Sequence, residues 1–563
     1  RPPFLIKDMA LNSQGARHPR PPGIFSPPPP PVPAGLERFG YDLIDEHFTE
    51  YFTSLGLTRD EFLALGREQM GDYELFSMPV LALNLSTRAN GVARLHGVVS
   101  RNLWQWMYPE VPEHEVPIDA VTNGIHVQSW ISKEMGELLD RYLDPAWRSE
   151  ESRPELWQEV DNIPDAELWR THERSREQLI AFARKHLRLQ LQAQGAPQHE
   201  IEEAEEVLNP DALTIGFARR FATYKRATLL FNDLDWLREI VCNAQRPVIF
   251  VFAGKAHPAD QPGQELIRRI AEVAKLPEFE SHILLVEGYD LRLARRMVSG
   301  VDVWLNNPIH PLEASGTSGI KAAMNGVINL SVLDGWWGEG YDGENGWAIK
   351  PVTDPEPARR DREEARALYE ILQDAVVPLY YDVAPHGLSP GWVAKAKRSM
   401  ASLLPRFNTE RMLGEYIDRY YRPAAGQWHR HAQAGFAPTR DLARWKKRMR
   451  EHWSGVRVRR VDRAPARIRF GESLRFELAV GIDGLDPADL RVELLFERAA
   501  GTSARPAQPP LELHWERRLD GDEQLYSIEL QPDMCGQIVY RFRVYPHHPL
   551  LAHPYEMGMM LWL

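Results

Sequence analysis

The sequence predicts an α/β protein built around a parallel sheet covered on both faces, followed by a small all-β domain. Over the middle of the chain, short apolar runs rich in β-branched residues alternate with helix-like stretches, which is the pattern of βαβ units. From about residue 455, polar and apolar residues alternate between Gly, Asp and Pro, which is typical of half-buried strands.

The beginning of the chain differs from the rest. Residues 1–33 hold 11 of the 44 prolines. Because proline lacks an N–H and fixes φ, we predict a disordered or polyproline tail at 1–31. A second interpretation is the truncated or misread start of a longer protein. Residues 35–150 are mostly helical in pattern, including 88–106, and 164–194 predict a long charged helix.

The parallel sheet is predicted from short buried runs bounded by Gly, Pro, Asn or Asp. Strands are expected at 212–218, 248–253, 283–286, 301–305 and 327–333. Helices are expected at 225–240, 263–276, 290–299, 319–325, 362–382 and 409–421. Ligands of such sheets bind in the loops at the carboxyl ends of the strands. The last region, 455–563, predicts a β-sandwich.

Composition excludes several classes of function. The 563 residues carry a net charge of −12, which argues against a general nucleic-acid binder. The two cysteines, Cys242 and Cys535, form no ligand cluster, so we expect a reducing compartment and no metal. No apolar run reaches the roughly 18 residues of a membrane span, and no secretory signal is found. We therefore expect a cytoplasmic protein without a membrane partner.

The loop that follows the predicted strand 301–305 is the strongest local pattern. It reads EASGTSGIK from Glu313 to Lys321, and its glycines allow a ligand to approach the backbone closely. The first N–H groups of the following helix suit a phosphate. Lys321 can pair with such a phosphate or bind an aldehyde cofactor. An ordinary capping loop with a solvated lysine is an equal alternative.

A basic loop follows the strand at 212–218. Four cations occur between Arg219 and Arg226, where a strand leads into a helix. In an acidic protein this concentration of charge indicates an anion site, and phosphate is the obvious candidate. The alternative is a solvated basic loop paired with nearby acids.

Two further loops have weaker patterns. Residues 253–258 are interpreted as a turn rather than a polar contact. Residues 333–347 mix aromatic residues, carboxylates and glycines, which suits a sugar-binding wall, although core packing explains Trp336 and Trp337 equally well. The residues alone therefore suit phosphoryl, glycosyl or pyridoxal chemistry and do not choose among them.

Several motifs in order resemble the α-glucan phosphorylases, that is, the glycogen, starch and maltodextrin phosphorylases. The EASGTSGIK loop with Asn325-Gly326 and Asp334-Gly335 looks like their cofactor segment. The stretch RFATYKR from Arg220 is similar to their phosphate-contact segment. NGVARLH from Asn90 and TNGI from Thr122, followed by Trp130, fit two further motifs. The resemblance covers about 32–422 and is nearest to the bacterial branch with an extra C-terminal β domain.

The resemblance implies a two-lobed GT-B glycosyltransferase fold with a Rossmann-like lobe. Under it, 32–120 is the remnant of an N-terminal lobe, 121–450 is the cofactor lobe with terminal helices, and 455–563 is the added β domain. It also implies pyridoxal 5′-phosphate bound through Lys321, with the cofactor phosphate exchanging protons with inorganic phosphate. The expected reaction is phosphorolysis of an α-1,4-glucan to glucose 1-phosphate with retained configuration. Effectors and self-association are left open.

Site residues are carried over by matching the motifs. The implied catalytic residues are Lys321, Arg220, Lys225 and Glu313. The implied cofactor contacts are Lys321, Thr317, Ser318, Lys225, Tyr289 and Trp130. The implied contacts to the glucosyl hydroxyls are Asn123, Glu313, Ser315 and Gly316.

The sequence departs from the family pattern at several positions. The family has a histidine two residues before the PVPAG motif, but Pro29 occupies that place before Pro31. Most of the N-terminal lobe is also absent, so we expect a shifted frame or truncated gene upstream of about residue 30. Ser318 and Ala222 also differ from better-known members. Two other interpretations remain: a nucleotide-sugar glycogen synthase-like transferase, and an inactive glucan-binding remnant.

Overall fold

The computed structural model describes residues 36–204, 207–385, 387–463, 467–469, 471–498, 509–531 and 538–563, together with the backbone of Phe25–Ser26. Apart from these two backbone positions, the proline-rich 1–31 segment and the PVPAG motif lie outside the described residues, as does Cys535. The chain divides into a central unit, Val92–His96 with Ala120–Tyr416, and a terminal unit that comprises the remaining described residues on either side. The mixed α/β class is confirmed.

A six-stranded sheet organises the central unit. Its strands, in chain order, are Leu213–Ala218, Val248–Ala253, Ile283–Val286, Val303–Asn306, Ile328–Val332 and Gly346–Ile349. All neighbours pair in parallel, and the chain order of the strands across the sheet is 6-5-4-1-2-3. The first and fourth strands are therefore adjacent, and their carboxyl-terminal loops emerge side by side. The sequence missed the sixth strand because its four residues, GWAI, lack a β-branched run.

Helices cover both faces of this sheet. They are Val127–Trp130, Lys133–Tyr142, Pro154–Gln158, Asp165–Gln194, Gln198–Glu203, Leu234–Val241, Gln261–Ala274, Leu291–Gly300, Ser318–Ala323, Trp337–Gly340, Pro357–Ile371, Val377–Tyr381, Pro390–Leu403 and Thr409–Tyr416. Two separate apolar clusters, one around Phe250 and one around Val251, pack on opposite faces because side chains alternate along a strand.

The predicted helix at 225–240 is wrong over its first half. Short 3₁₀ turns occupy Thr223–Lys225 and Leu229–Phe231, and the α-helix starts only after Asp233, whose side chain caps the Trp236 N–H. Arg226 causes the break, because its backbone is left-handed with φ of 47°.

The terminal unit begins with short elements. Its N-terminal strands are Phe25–Ser26, Arg38–Phe39, Arg67–Met70, Tyr73–Ser77, Arg88–Gly91 and Ile118–Ala120. Its N-terminal helices are Tyr41–Ser54, Arg59–Ala64, Met78–Leu85 and Arg94–Leu103. The last residue of Ile118–Ala120 and the first three of Arg94–Leu103 belong to the central unit. The predicted helical segment 88–106 thus starts as a strand. Arg88 and Ala89 pair in parallel with Phe25–Ser26, and this pairing outweighs the helical spacing that follows.

The C-terminal strands form an antiparallel sheet after the long helical segment Arg422–His452, which is kinked at 433–436. The strands are Arg457–Arg460, Leu474–Gly481, Leu490–Arg498, Leu511–Arg518, Glu523–Leu530, Ile538–Pro546 and Leu561–Trp562. Phe476 and Phe542 lie on strands four positions apart, about 19 Å in a flat sheet. Their ring centroids are 5.6 Å apart, so the sheet folds over itself around an aromatic core.

Asp302, which immediately precedes the strand Val303–Asn306, links the long helix Asp165–Gln194 to the strand Leu213–Ala218. Its fully buried carboxylate accepts hydrogen bonds from Arg176 (2.8 Å), His172 (2.9 Å) and the backbone N–H of Thr214 (2.8 Å). Burial opposes ionisation, but Arg176 and His172 outweigh it and hold the pKa of Asp302 below its usual value. The long helix Asp165–Gln194 is thereby fixed to the sheet.

The substitution Asp302→Ala should destabilise the protein by about 3–5 kcal/mol, because it leaves the Arg176 guanidinium buried without its counter-charge. Urea unfolding measures this loss. The matched control is Asp235→Ala, at an exposed carboxylate paired with Arg238, which should cost less than about 1 kcal/mol. Equal shifts for both variants would contradict the role given to Asp302.

Candidate functional site

The candidate site lies in the central unit, at the carboxyl ends of the adjacent strands Leu213–Ala218 and Val303–Asn306. Lys225 comes from the loop after Leu213–Ala218 and Glu313 from the loop after Val303–Asn306. The Lys225 Nζ donates to Glu313 Oε2 over 2.9 Å, and both side chains are largely buried. The sheet topology therefore brings together two residues that are 88 positions apart.

Arg219 is a second cation on the same carboxylate. Its Nη1 lies 3.7 Å from Glu313 Oε2 and donates to Asn306 Oδ1, while Nη2 lies 3.5 Å from the Ser318 hydroxyl oxygen. Its Nε is buried without an acceptor among the described residues. Burial lowers the pKa of Arg219. Sequence reasoning counted Arg219 among the cations of the basic loop but gave it no individual role, because its reach across to the neighbouring loop is visible only in the fold.

Positive charge exceeds negative charge here. Burial lowers the pKa of the Lys225 amine, and the neighbouring charges of Arg219 and Arg220 lower it further, while Glu313 raises it. Arg220 itself is exposed beside this group. Two cations, Lys225 and Arg219, thus share the Glu313 carboxylate with Arg220 close by, and an anion bound among the three would balance the charge.

Lys321 is located in the first turns of the short helix Ser318–Ala323. Its Nζ lies over the Trp130 ring, 3.6 Å from the centroid, and burial alone lowers the pKa of the amine. No carboxylate in the described part of the chain contributes to that shift. A lysine held this way reaches the neutral amine, which is the form that attacks an aldehyde, at a lower pH than an exposed one.

Ser318 completes the phosphate-friendly surface. Its oxygen accepts the indole N–H of Trp304 at 3.1 Å and also lies 3.5 Å from Arg219 Nη2. With its lone pairs engaged, the Ser318 O–H is left to donate to a ligand. Thr317 precedes the helix, and its carbonyl accepts the Lys321 N–H.

The loop is held in place by very close backbone packing. A Cβ on Gly319 would lie 2.3 Å from Asn329 Oδ1, and one on Gly335 would lie 2.2 Å from the Ser315 carbonyl oxygen. Only glycine fits either position. The buried Ser315 also accepts the backbone N–H of Trp336 at 2.8 Å, so the turn after the fifth strand clamps the loop.

Asp334 is the second residue for which sequence reasoning gave no role. One of its oxygens accepts the backbone N–H of Glu313 (3.1 Å) and the other accepts that of Gly335 (2.7 Å). The carboxyl group is fully buried, and burial raises its pKa to about 7, with the nearby charge of Glu313 acting in the same direction and Arg226 opposing. The sequence showed the Asp-Gly pair but not its burial.

The remaining predicted residues lie around this group. Burial raises the pKa of the Tyr289 hydroxyl, and the nearby Arg219 charge lowers it by a smaller amount. Gly316 is left-handed with φ of 69° and lies against the Glu313 side chain. Asn123 is fixed through its backbone: its N–H donates to the Val92 carbonyl and its carbonyl accepts from Arg411.

At two places the structure decides between alternatives that the sequence left open. Trp336 and Trp337 are buried and pack against Phe407 and Tyr341, so they belong to the core and form no sugar-binding wall. Arg226, the fourth cation of the basic loop, donates to the carbonyls of Asn307 and Pro308 and pairs with Asp361 and Glu364, so it fixes the backbone rather than facing a ligand.

Comparison with known proteins agrees with these motifs. Residues 44–337 match the family profile described as carbohydrate phosphorylase, which is more than half of the chain. The chain belongs to the carbohydrate phosphorylase family. Residues 453–563 match the profile of a glycogen phosphorylase C-terminal domain. The resemblance to α-glucan phosphorylases is thus confirmed.

Named relatives extend over almost the whole chain. A maltodextrin phosphorylase of Thermococcus litoralis is 39% identical over 538 residues, and a glycogen phosphorylase of Mycobacterium tuberculosis is 36% identical over 540 residues. Each alignment covers 94% of this chain and 62% of the relative. A glycogen phosphorylase of Aquifex aeolicus is 41% identical over 391 residues, covering 69% of this chain and 56% of the relative.

Two other features bear on the class of protein. Among the described helices, none combines the length and the apolar character needed to cross a bilayer. The described residues also contain no group of three His, Cys, Asp or Glu side chains placed to hold a metal ion.

Stability should depend on the ionisation of Asp334. The folded state binds its proton more tightly than the unfolded state, so this contribution is complete below pH about 4 and is lost as the pH rises through about 7. Replacement by Asn removes the titration. Between pH 4 and pH 8, the free energy of unfolding of the parent chain should therefore fall by about 2–4 kcal/mol relative to that of Asp334→Asn. A pH-independent difference in urea unfolding would contradict this.

Proposed function

We propose that this chain carries the pyridoxal-phosphate half of a glucan phosphorylase site in a GT-B lobe. The reaction would be the cleavage of an α-1,4-glucan by inorganic phosphate, releasing glucose 1-phosphate with retained configuration. The observation that carries the proposal is the set formed by the buried Lys321 amine, the Ser318 hydroxyl and the cations Arg219 and Lys225 around one carboxylate.

These residues fit pyridoxal 5′-phosphate by their chemistry. Lys321 supplies an amine that no carboxylate in the described residues neutralises, and Trp130 supplies an apolar face. The buried Nε of Arg219 lacks an acceptor and would gain one from the cofactor phosphate, together with the Ser318 O–H and the Thr317 region. When bound, the cofactor supplies a phosphate group that gives and takes a proton toward the substrate phosphate.

The remaining residues would position the substrates. Lys225 and Arg220 would hold inorganic phosphate next to the cofactor, since two phosphates in one site need preorganised positive charge. Glu313 keeps Lys225 oriented in the absence of ligand. With a glucan bound, Glu313 would accept hydrogen bonds from hydroxyl groups of the glucosyl unit, and Ser315 and Gly316 would contact the same unit. Asp334 holds the Glu313 backbone in place for that contact.

The chain spans about 62% of the length of the relatives it matches. In the proposed GT-B arrangement, the other wall of the cleft comes from the N-terminal lobe. Cofactor binding and turnover are therefore tested separately. Cofactor binding is tested on this chain. Turnover is tested both on this chain and on this chain joined to the N-terminal part of the Thermococcus litoralis relative.

Incubation with pyridoxal phosphate and reduction with borohydride should leave a pyridoxyl group on Lys321, detected by peptide mass mapping. The exposed Lys133 is the internal control and should carry little label. Lys321→Arg should remove the label without unfolding the protein. A chain that binds no cofactor at Lys321 would support the nucleotide-sugar transferase interpretation instead.

Release of glucose 1-phosphate from a linear glucan and phosphate should be observed in the joined protein. Lys225→Met should lower its rate by about 10²–10³-fold, because it removes a preorganised charge at the phosphate. The control is His257→Ala, at an exposed position after a neighbouring strand of the sheet. A labelled Lys321 without any turnover in the joined protein would support a glucan-binding remnant.

A further inference from the structure

The terminal unit contains a second cation-rich cavity, of about 280 Å³. Three arginines line it, Arg88, Arg101 and Arg419, together with the imidazoles of His114 and His553. Among the described lining residues the one carboxylate is that of Asp119. Such an excess of positive charge within a chain of net charge −12 is what a site for an anion requires.

Two of the arginines are fixed in place. Arg101 Nη1 donates to the Ile118 carbonyl over 2.9 Å, and Arg419 pairs with the Asp119 carboxylate. The only negative charge of the described lining is therefore already engaged. Guanidinium groups anchored in this way lose little conformational freedom when they bind a ligand, which favours affinity.

Arg88 gives the clearest indication of a ligand. Its Nε is buried and has no hydrogen-bond acceptor among the described residues, and no described carboxylate forms an ion pair with it. The Glu115 carboxylate lies 4.0 Å from His114, but it is bonded to Arg543 and Tyr555 and does not line the cavity. A buried cationic donor without an acceptor is costly, and an oxyanion would remove that cost.

We infer that this cavity binds the phosphate group of a small molecule, either inorganic phosphate or a phosphate monoester. The planar fork of an arginine matches phosphate oxygens in a bidentate way, and a phosphate oxygen would supply the acceptor that the Arg88 Nε lacks among the described residues. The volume is close to the lower limit of small-molecule pockets, which suits a compact ligand. The site shares no residue with the group around Glu313, and it does not depend on the proposed catalytic function.

Isothermal titration calorimetry of the whole chain tests this inference. The probes are inorganic phosphate, glucose 1-phosphate and glucose, titrated into a Lys225→Met background that weakens anion binding at the central site. Phosphate or glucose 1-phosphate should bind, and glucose should not. Adding Arg88→Gln should weaken the Kd at least tenfold, whereas the matched exposed control Arg517→Gln should leave it unchanged.

The arms of the experiment separate the two sources of phosphate. Comparable affinity for both anions identifies the phosphate group itself, and tighter binding of glucose 1-phosphate identifies a monoester site. If neither anion binds, or if Arg88→Gln and Arg517→Gln have the same effect, the inference is overturned. A failed reaction at Lys321 would leave this result untouched.

A second measurement does not depend on any variant. In the unmodified chain, phosphate should slow the reaction of Arg88 with phenylglyoxal several-fold, as followed by peptide mass mapping, and should leave the rate at Arg517 unchanged. Equal rates at Arg88 with and without phosphate would contradict an anion in this cavity.

Discussion

The ion pair between Lys225 and Glu313 is the interaction on which the rest of the candidate site depends. It joins the loops after two adjacent parallel strands, and Arg219 approaches the same carboxylate from the first loop. Because two cations share one carboxylate and Arg220 adds a third positive charge nearby, the group is incomplete in charge without an anion. Both the proposed cofactor site and the proposed phosphate site follow from this imbalance.

The supporting structure serves to keep these charges together. Asp334 accepts the backbone N–H groups of Glu313 and Gly335, and the packing at Gly319 and Gly335 leaves no room for any other residue. Arg226, from the same basic loop, binds carbonyls and acids of the neighbouring segment and fixes the path of the chain. One loop therefore supplies both a structural cation and the cations proposed to face a ligand.

The sequence predicted the parallel sheet, the antiparallel C-terminal strands and the family, because strand runs and ordered motifs are local patterns. It predicted for the same reason that Glu313 and Lys321 follow the strand that the structure has at Val303–Asn306. It could not assign Arg219 or Asp334, since their roles arise from reach and burial across separate segments. Nor could it distinguish the buried Trp336 and Trp337 from a sugar-binding surface, because periodicity does not reveal which face of a short turn is covered.

The terminal unit shows the same principle at a second place. Its cavity also combines anchored arginines with one carboxylate, although the residues come from different elements and from distant parts of the sequence. A chain of net charge −12 thus brings cationic side chains together at two separate places, around Glu313 and in this cavity. Anion binding is thus a property of local residue sets and not of net charge.

The central claim is that burial and crowding of positive charge depress the ionisation of the site lysines. Competitive labelling of amines with trace acetic anhydride across pH, read out by peptide mass mapping, measures the pKa of each lysine directly. The account predicts that Lys321 and Lys225 both titrate below the ordinary value of 10.5 in the ligand-free chain. Titration of both amines at or above 10.5 would contradict it.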